Sequence, residues 1–269
     1  MSIARQMLAT TSRIRDRLLP QPSGVTVLIY HRVGGGSSSA VDLDPGQFDE
    51  QLQLLAEQYR VITLGAALDE LASNDVDTSP AVVITFDDGT SDFTEHAAPA
   101  LVRHGLPATL YVATKFVDGR EDFPWGAPPT TWSALRDVAS TGLISIGSHT
   151  HAHLLLDRLR PGAVAQDLDR SVSLISEHIG TLPVDFAYPK AVRGSPPAEI
   201  EVRRRFRSAV LAGNRVNRPG SVDLHQLGRT PVRVGDDLRT FALKARGGMR
   251  LEGSLRDLIG PLRYHGQTR

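Results

Sequence analysis

"ITFDDGTSD", residues 84–92, is the stretch on which the reading of this chain turns. Residues 82–85, within the apolar run "AVVITF", read as a buried strand. The run ends on two adjacent carboxylates, Asp87 and Asp88, followed at once by Gly89. Neighbouring anions at a strand end repel each other and cost stability unless something compensates them. A bound cation is the usual compensation, so further ligands are sought elsewhere in the chain. There is no cysteine. That excludes thiolate catalysis, thiolate ligands and disulfides, and leaves His, Asp and Glu as donors.

Working outward, apolar runs alternate with helical patterns. Upstream, "VTVLIYH" (25–31) reads as a strand, and "PGQFDEQLQLLAEQY" (45–59) as a helix with Phe48, Leu52, Leu55 and Tyr59 at helical spacing. "RVIT" (60–63) is a short strand and "LGAALDELAS" (64–73) a second helix. Downstream, "EHAAPALVRHG" (95–105) is a helix stopped by Gly105, and "PATLYVAT" (107–114) is a strand. "TWSALRDVASTG" (131–142) is a helix, "LISIGSH" (143–149) a strand and "GAVAQDLDRSVSLISEHIG" (162–180) a long helix. "VDFAYP" (184–189) and "SAVLAG" (208–213) follow as strands, and "LRTFALKARGG" (238–248) is the last well-formed helix.

Strands separated by helices imply parallel pairing, in a sheet that is either doubly wound or closed into a barrel. No G-x-G-x-x-G or P-loop pattern follows a strand, so nucleotide-binding versions lose their signature. A barrel places chemistry at the C-terminal ends of its strands. His31, Asp87 with Asp88, His149, and Tyr188 with Pro189 all fall at such ends.

"GSHTHAH", residues 147–153, holds three histidines. His149 and His153 are spaced i and i+4, which predicts both imidazoles on one face of a helical turn. Two imidazoles and one carboxylate make a three-ligand site of catalytic zinc type, with a position open to water. His151 falls on another face, and Thr150 is expected to hold the turn through its hydroxyl. One histidine alone reads as structural. The pair after a strand, with "FDDG" upstream, reads as a metal site.

Together "TFDDGTSD" and "HTHAH" resemble the first two motifs of the family four carbohydrate esterases, the polysaccharide deacetylases. "LIYHRV", "PATLYVAT", "TWSAL" and "FAYP" extend the resemblance over roughly residues 25–245. "YH" and "FAYP" are similar to the branch that deacetylates poly-N-acetylglucosamine-type exopolysaccharides. The resemblance implies an α/β fold, a distorted, incomplete (β/α)7-type barrel in one domain, and a metal-dependent hydrolase that removes N-acetyl groups from amino sugars. By position it implies Asp88, His149 and His153 as metal ligands, Asp87 as general base and His31 as general acid. It also implies that the backbone N–H of Lys190 stabilises the oxyanion, with Tyr188 and Pro189 beside the substrate. Ligand preference points to zinc, with nickel or cobalt also fitting.

Two departures stand out. Relatives commonly continue "FAYP" with Tyr-Gly, whereas this chain has Lys190 and Ala191, which points to altered substrate choice or an anionic group on the substrate. The Arg that orients the base in the more typical third motif is replaced by Ala187. Arg229 in "HQLGRTPVRV" is the stand-in, or else a surface ion-pair partner. Sugar faces stack on aromatic rings, so Trp125 in "DFPWGAPP" is the expected substrate contact and Trp132 the expected core residue. Asp92 is expected to support the first motif through hydrogen bonds.

Lys+Arg and Asp+Glu balance at 30 each, which gives no global attraction for nucleic acid. Residues 1–23 form an N-terminal segment whose pattern suits an amphipathic helix, docked on the domain or touching a membrane surface. Residues 24–250 form the catalytic domain and 251–269 a tail. "GGGSSS" (34–39) reads as a mobile surface loop. Arg5, Arg13, Arg15 and Arg17 interrupt any signal-peptide core, so a cytoplasmic or membrane-peripheral location is expected. The readings that compete with glycan deacetylation are hydrolysis of a small non-glycan amide and sugar binding without turnover.

Overall fold

A computed structural model of the chain describes residues 23–73 and 79–248. Of the expected N-terminal amphipathic segment, 1–23, all but residue 23 lies outside the described residues, as does the tail, 251–269. The strands are β1 (Val25–Tyr30), β2 (Arg32–Val33), β3 (Asp42–Leu43), β4 (Arg60–Val61), β5 (Ala81–Phe86), β6 (Ala108–Val112), β7 (Ile144–Ser148), β8 (Asp185–Ala187), β9 (Ser208–Val210) and β10 (Arg229–Pro231). The helices are α1 (Pro45–Gln58), α2 (Leu64–Ala72), α3 (Ala98–His104), α4 (Thr114–Gly119), α5 (Trp132–Ser140), α6 (Pro161–Ile179), α7 (Pro196–Arg205) and α8 (Leu238–Ala245).

Seven strands run side by side in the order β10, β1, β5, β6, β7, β8, β9, and every neighbouring pair is parallel. The two ends of this sheet then meet. Leu227 N donates to Ala209 O at 3.0 Å, Leu211 N to Leu227 O at 2.8 Å, and Gly213 N to Arg229 O at 2.8 Å. The result is one domain built on a nearly closed, distorted (β/α)7 barrel, not an open doubly wound sheet. β4 pairs only with the first two residues of β5.

Alternation along the strands sorts the core into layers. Val25 and Val27 of β1, Val83 of β5, Tyr111, Ala187 and Val210 gather in one cluster inside the ring, joined by four residues of α2. Leu28, Tyr30, Val82, Ile84 and Phe86 point the other way, against Phe48, Leu52 and Leu55 of α1 and Leu101 of α3. Both faces of β1 and β5 are therefore buried, which is why neither reads as apolar–polar alternation. Each of the three α1 anchors contributes about 1.5–3 kcal/mol by leaving water.

Local chemistry sets the element ends. Asp44 caps α1 by accepting from Gly46 N and Gln47 N, with Pro45 at the first position. Gly105, at φ 65°, ends α3. The helix expected over 95–105 opens instead as a π-turn over Phe93–Ala97, because Pro99 has no N–H to continue the regular ladder. The "GGGSSS" loop, exposed over residues 35–39, is tied to Asp42. Asp42 accepts from Gly34 N, Gly35 N, Ser37 N and Ser37 Oγ at 2.6–3.1 Å.

Candidate active site

The same alternation that buries Val83 turns Thr85 and Asp87 toward the interior of the ring. There Asp87 meets Arg229, which enters from β10 at the other side of β1. The guanidinium forms a two-pronged bond, NH1 to Oδ1 at 2.6 Å and NH2 to Oδ2 at 2.7 Å. Arg229 is fully buried, so it is no surface ion-pair partner. Its Nε donates to Leu211 O at 2.9 Å, its NH1 reaches Thr85 Oγ1 at 3.3 Å, and its Cζ lies 5.5 Å from the Tyr111 ring centre. Burial pushes the Asp87 carboxyl up, but the charges of Arg229, His149 and His31 outweigh it and hold Asp87 below the usual carboxylate range. Of the two adjacent anions, this one is compensated from within the chain.

Asp88 is compensated differently. Its backbone turns to φ 75°, and its carbonyl accepts from Ala113 N at 3.0 Å. Gly89 follows at φ 91°, where a Cβ would sit 3.3 Å from Val112 Cγ1. This reversal aims Asp88 away from Arg229 and at the histidines. His153 Nε2 lies 3.4 Å and His149 Nε2 3.6 Å from Asp88 Oδ1. Burial raises the Asp88 pKa, and the His153 hydrogen bond with the charges of His153, His31 and His149 more than reverses it.

The histidine pair departs from expectation in one respect: no helical turn carries it. Residues 149–153 form an irregular loop, with Thr150 at φ 68° and His153 at φ 56°. Side-chain bonds hold this conformation, which is costly for residues with a Cβ. Thr150 Oγ1 accepts from His153 N at 2.9 Å, so its hydroxyl does fasten the turn. Asp167 of α6 accepts from His151 N at 2.8 Å and Ala152 N at 2.9 Å. Sequence reasoning missed Asp167, which carries no motif. His151 turns away and bonds Thr114 Oγ1 at 3.0 Å.

Asp88, His149 and His153 form a group whose potential ligand atoms all lie within 4.8 Å of one another. The donor chemistry fits a divalent cation. His149 Nδ1 lies 2.8 Å from Ala187 O, which can only accept, so the proton sits on Nδ1 and Nε2 keeps its lone pair. Burial, foremost, lowers the His149 pKa to about 4, which keeps this ring neutral and ready to ligate at ordinary pH.

The remaining expected residues divide. His31 follows β1, is partly buried, and has no hydrogen-bond partner at Nδ1. Trp125 is 45% exposed, stacks on Phe123, and sets its ring edge-to-face with His153 at 5.6 Å. Lys190 and Ala191 both have positive φ, at 53° and 56°, at the end of β8. Tyr188 is corrected: its ring is 1% exposed and packs edge-on against Phe186, so it builds the wall and offers no face to a substrate. Pro189 is likewise buried. Asp92 is also corrected. It bonds neither Asp87 nor Asp88, but accepts from Val33 N at 2.6 Å and Arg32 Nε at 3.4 Å. Trp132 packs against the main core and stacks on His178.

The polysaccharide deacetylase family model matches residues 74–200. YxkH of Bacillus subtilis (strain 168), whose name places it among polysaccharide deacetylases, is 27% identical over 170 residues. That match covers 63% of this chain, which spans 57% of the YxkH length. Among solved structures, IcaB from Ammonifex degensii superposes with a TM-score of 0.74 at 29% identity, over 84% of this chain and 98% of that one. The Streptococcus pyogenes deacetylase PplD shares the fold, with a TM-score of 0.73 at 21% identity over 83% and 99% of the two chains. No described helix is long and apolar enough to cross a membrane.

Proposed function

We propose, from the match of residues 74–200 to the polysaccharide deacetylase family model, that this chain hydrolyses N-acetyl groups on an N-acetylated glycan. The observation that carries the reading is the buried Asp87–Arg229 pair set beside the Asp88, His149 and His153 group. One carboxylate is thereby kept charged and oriented, while the other is left to the histidines. A divalent cation held by Asp88, His149 and His153, zinc by donor preference with nickel or cobalt also fitting, supplies Lewis acidity and lowers the pKa of water.

The chain's own residues do the rest. Asp87, charged and oriented by Arg229, accepts the proton of the attacking water at a carboxylate oxygen. The backbone N–H of Lys190 donates to the oxygen that gains charge as the acetamide carbonyl is attacked. His31, which follows β1 as Asp87 and Asp88 follow the neighbouring β5, delivers a proton to the departing nitrogen. Expelling an amide anion unprotonated is prohibitive, so this step needs an acid. Trp125 lies against a sugar face at the rim beside His153.

The test is acetate release from N-acetylglucosamine oligomers by the wild type and by Asp87→Asn. The variant is expected to keep its metal content while turnover falls by about 10²–10⁴. Full activity in Asp87→Asn removes the base assignment. Release from a panel of small amides but not from oligomers replaces the glycan with a small substrate. Oligomer binding with no release by metal-replete protein replaces the enzyme with a binding module.

A further inference from the structure

Histidines that move protons are usually aimed by a carboxylate or carbonyl on the second ring nitrogen. His31 has no such partner: its buried Nδ1 makes no hydrogen bond. Its aim must come from the backbone that carries it. That backbone leaves the barrel after β1 and is taken up at once by two buried carboxylates. Asp92, 6% exposed, accepts from Val33 N at 2.6 Å, two residues beyond His31, and faces Arg32 Nε at 3.4 Å. Asp42, 2% exposed, gathers Gly34 N, Gly35 N and Ser37 N on the far side and lies 3.5 Å from Arg32 NH1. Arg32 bridges the two.

Asp92 sits four residues beyond Asp88, in the first helical turn after the loop that carries Asp87. Resting on the reading that His31 is the acid, we infer that Asp92 is a positioning residue. Through Val33 N and Arg32 it fixes the main chain of His31 against the helical turn that follows the base, so one short segment, residues 87–92, sets the spacing between proton acceptor and proton donor. The affected step is the collapse of the tetrahedral adduct. There the C–N bond breaks, its electron pair passes to nitrogen, and nitrogen takes the proton from the His31 imidazolium.

The test exploits leaving-group acidity. An amine must be protonated to depart, whereas 4-nitrophenolate departs from 4-nitrophenyl acetate without a proton. Metal-loaded wild type, His31→Ala, Asp92→Ala and the double variant are assayed on N-acetylglucosamine oligomers and on the aryl ester, with metal content and melting temperature measured alongside. Asp92→Ala is expected to lower kcat on the oligomers by roughly 10- to 100-fold, the scale of a misplaced reacting group, while ester turnover and metal content stay near wild type. The double variant is expected to be no slower than His31→Ala. Equal losses on both substrates, or losses that multiply in the double variant, overturn the inference. If His31→Ala fails to discriminate between leaving groups, the acid assignment falls and takes this inference with it. If His31→Ala discriminates and Asp92→Ala does not, only the role of Asp92 falls. Should Asp92→Ala not fold, Asp92→Asn is read by the same ratio.

Discussion

Arg229 is where side-chain chemistry decides most. A fully buried guanidinium and a buried carboxylate are tolerable only as a pair, since either one left alone carries an uncompensated charge out of water. Arg229→Gln should therefore destabilise the protein by about 3–5 kcal/mol in urea unfolding, far more than a lost surface ion pair. The same change should alter activity in a defined direction. Arg229 holds the Asp87 pKa down, so its loss raises that pKa and moves the acid limb of the kcat/KM profile to higher pH. Arg229→Lys should restore charge but not the two-pronged geometry, leaving turnover low. An unshifted acid limb in Arg229→Gln would show that Asp87 does not report through this pair.

At the scale of elements, much was legible where apolar periodicity was strong. The strands β1, β5, β6 and β7 and the helices α1, α5 and α6 stand close to the positions that spacing predicts, because long buried faces leave a plain signal. α4 and α7 were not legible: α7 buries only Ala198 and Val202, too few for a pattern. The loop over 149–153 was misread as a helical turn because i, i+4 spacing is equally available to a loop pinned from outside, here by Asp167 and Thr150. The direction of Asp92 was illegible for a similar reason, since its partners lie about sixty residues upstream. The Asp167 contacts carry a prediction. Asp167→Ala leaves two backbone N–H groups unpaired and frees the loop, so metal affinity should fall by about 10- to 100-fold in a chelator competition, with the fold intact by circular dichroism. Unchanged affinity would mean that Thr150 alone holds the loop.

For the whole molecule, the buried site couples stability to pH. The His149 pKa is lowered by burial from 6.5 to about 4, so between those values the unfolded chain binds a proton that the folded one refuses. Stability of metal-free protein should therefore be fully present above about pH 6.5 and should decline as pH falls toward 4, by about 3 kcal/mol from this group. Asp87 and Asp88, with lowered pKa values, add a further loss below the ordinary carboxylate range. Denaturant titrations at stepped pH check this, and a flat profile between pH 6.5 and 4 would contradict it. Bound metal should deepen the decline, because protons then compete with the ion. The segment matched by the family model ends at residue 200, while the cation that balances Asp87 arrives on β10, the last strand of the ring. During synthesis, then, the first two hundred residues emerge with every proposed metal ligand but without the guanidinium that pairs with Asp87. On the proposed function, hydrolytic competence waits for β10 to dock, so turnover doubles as a readout that the ring has closed.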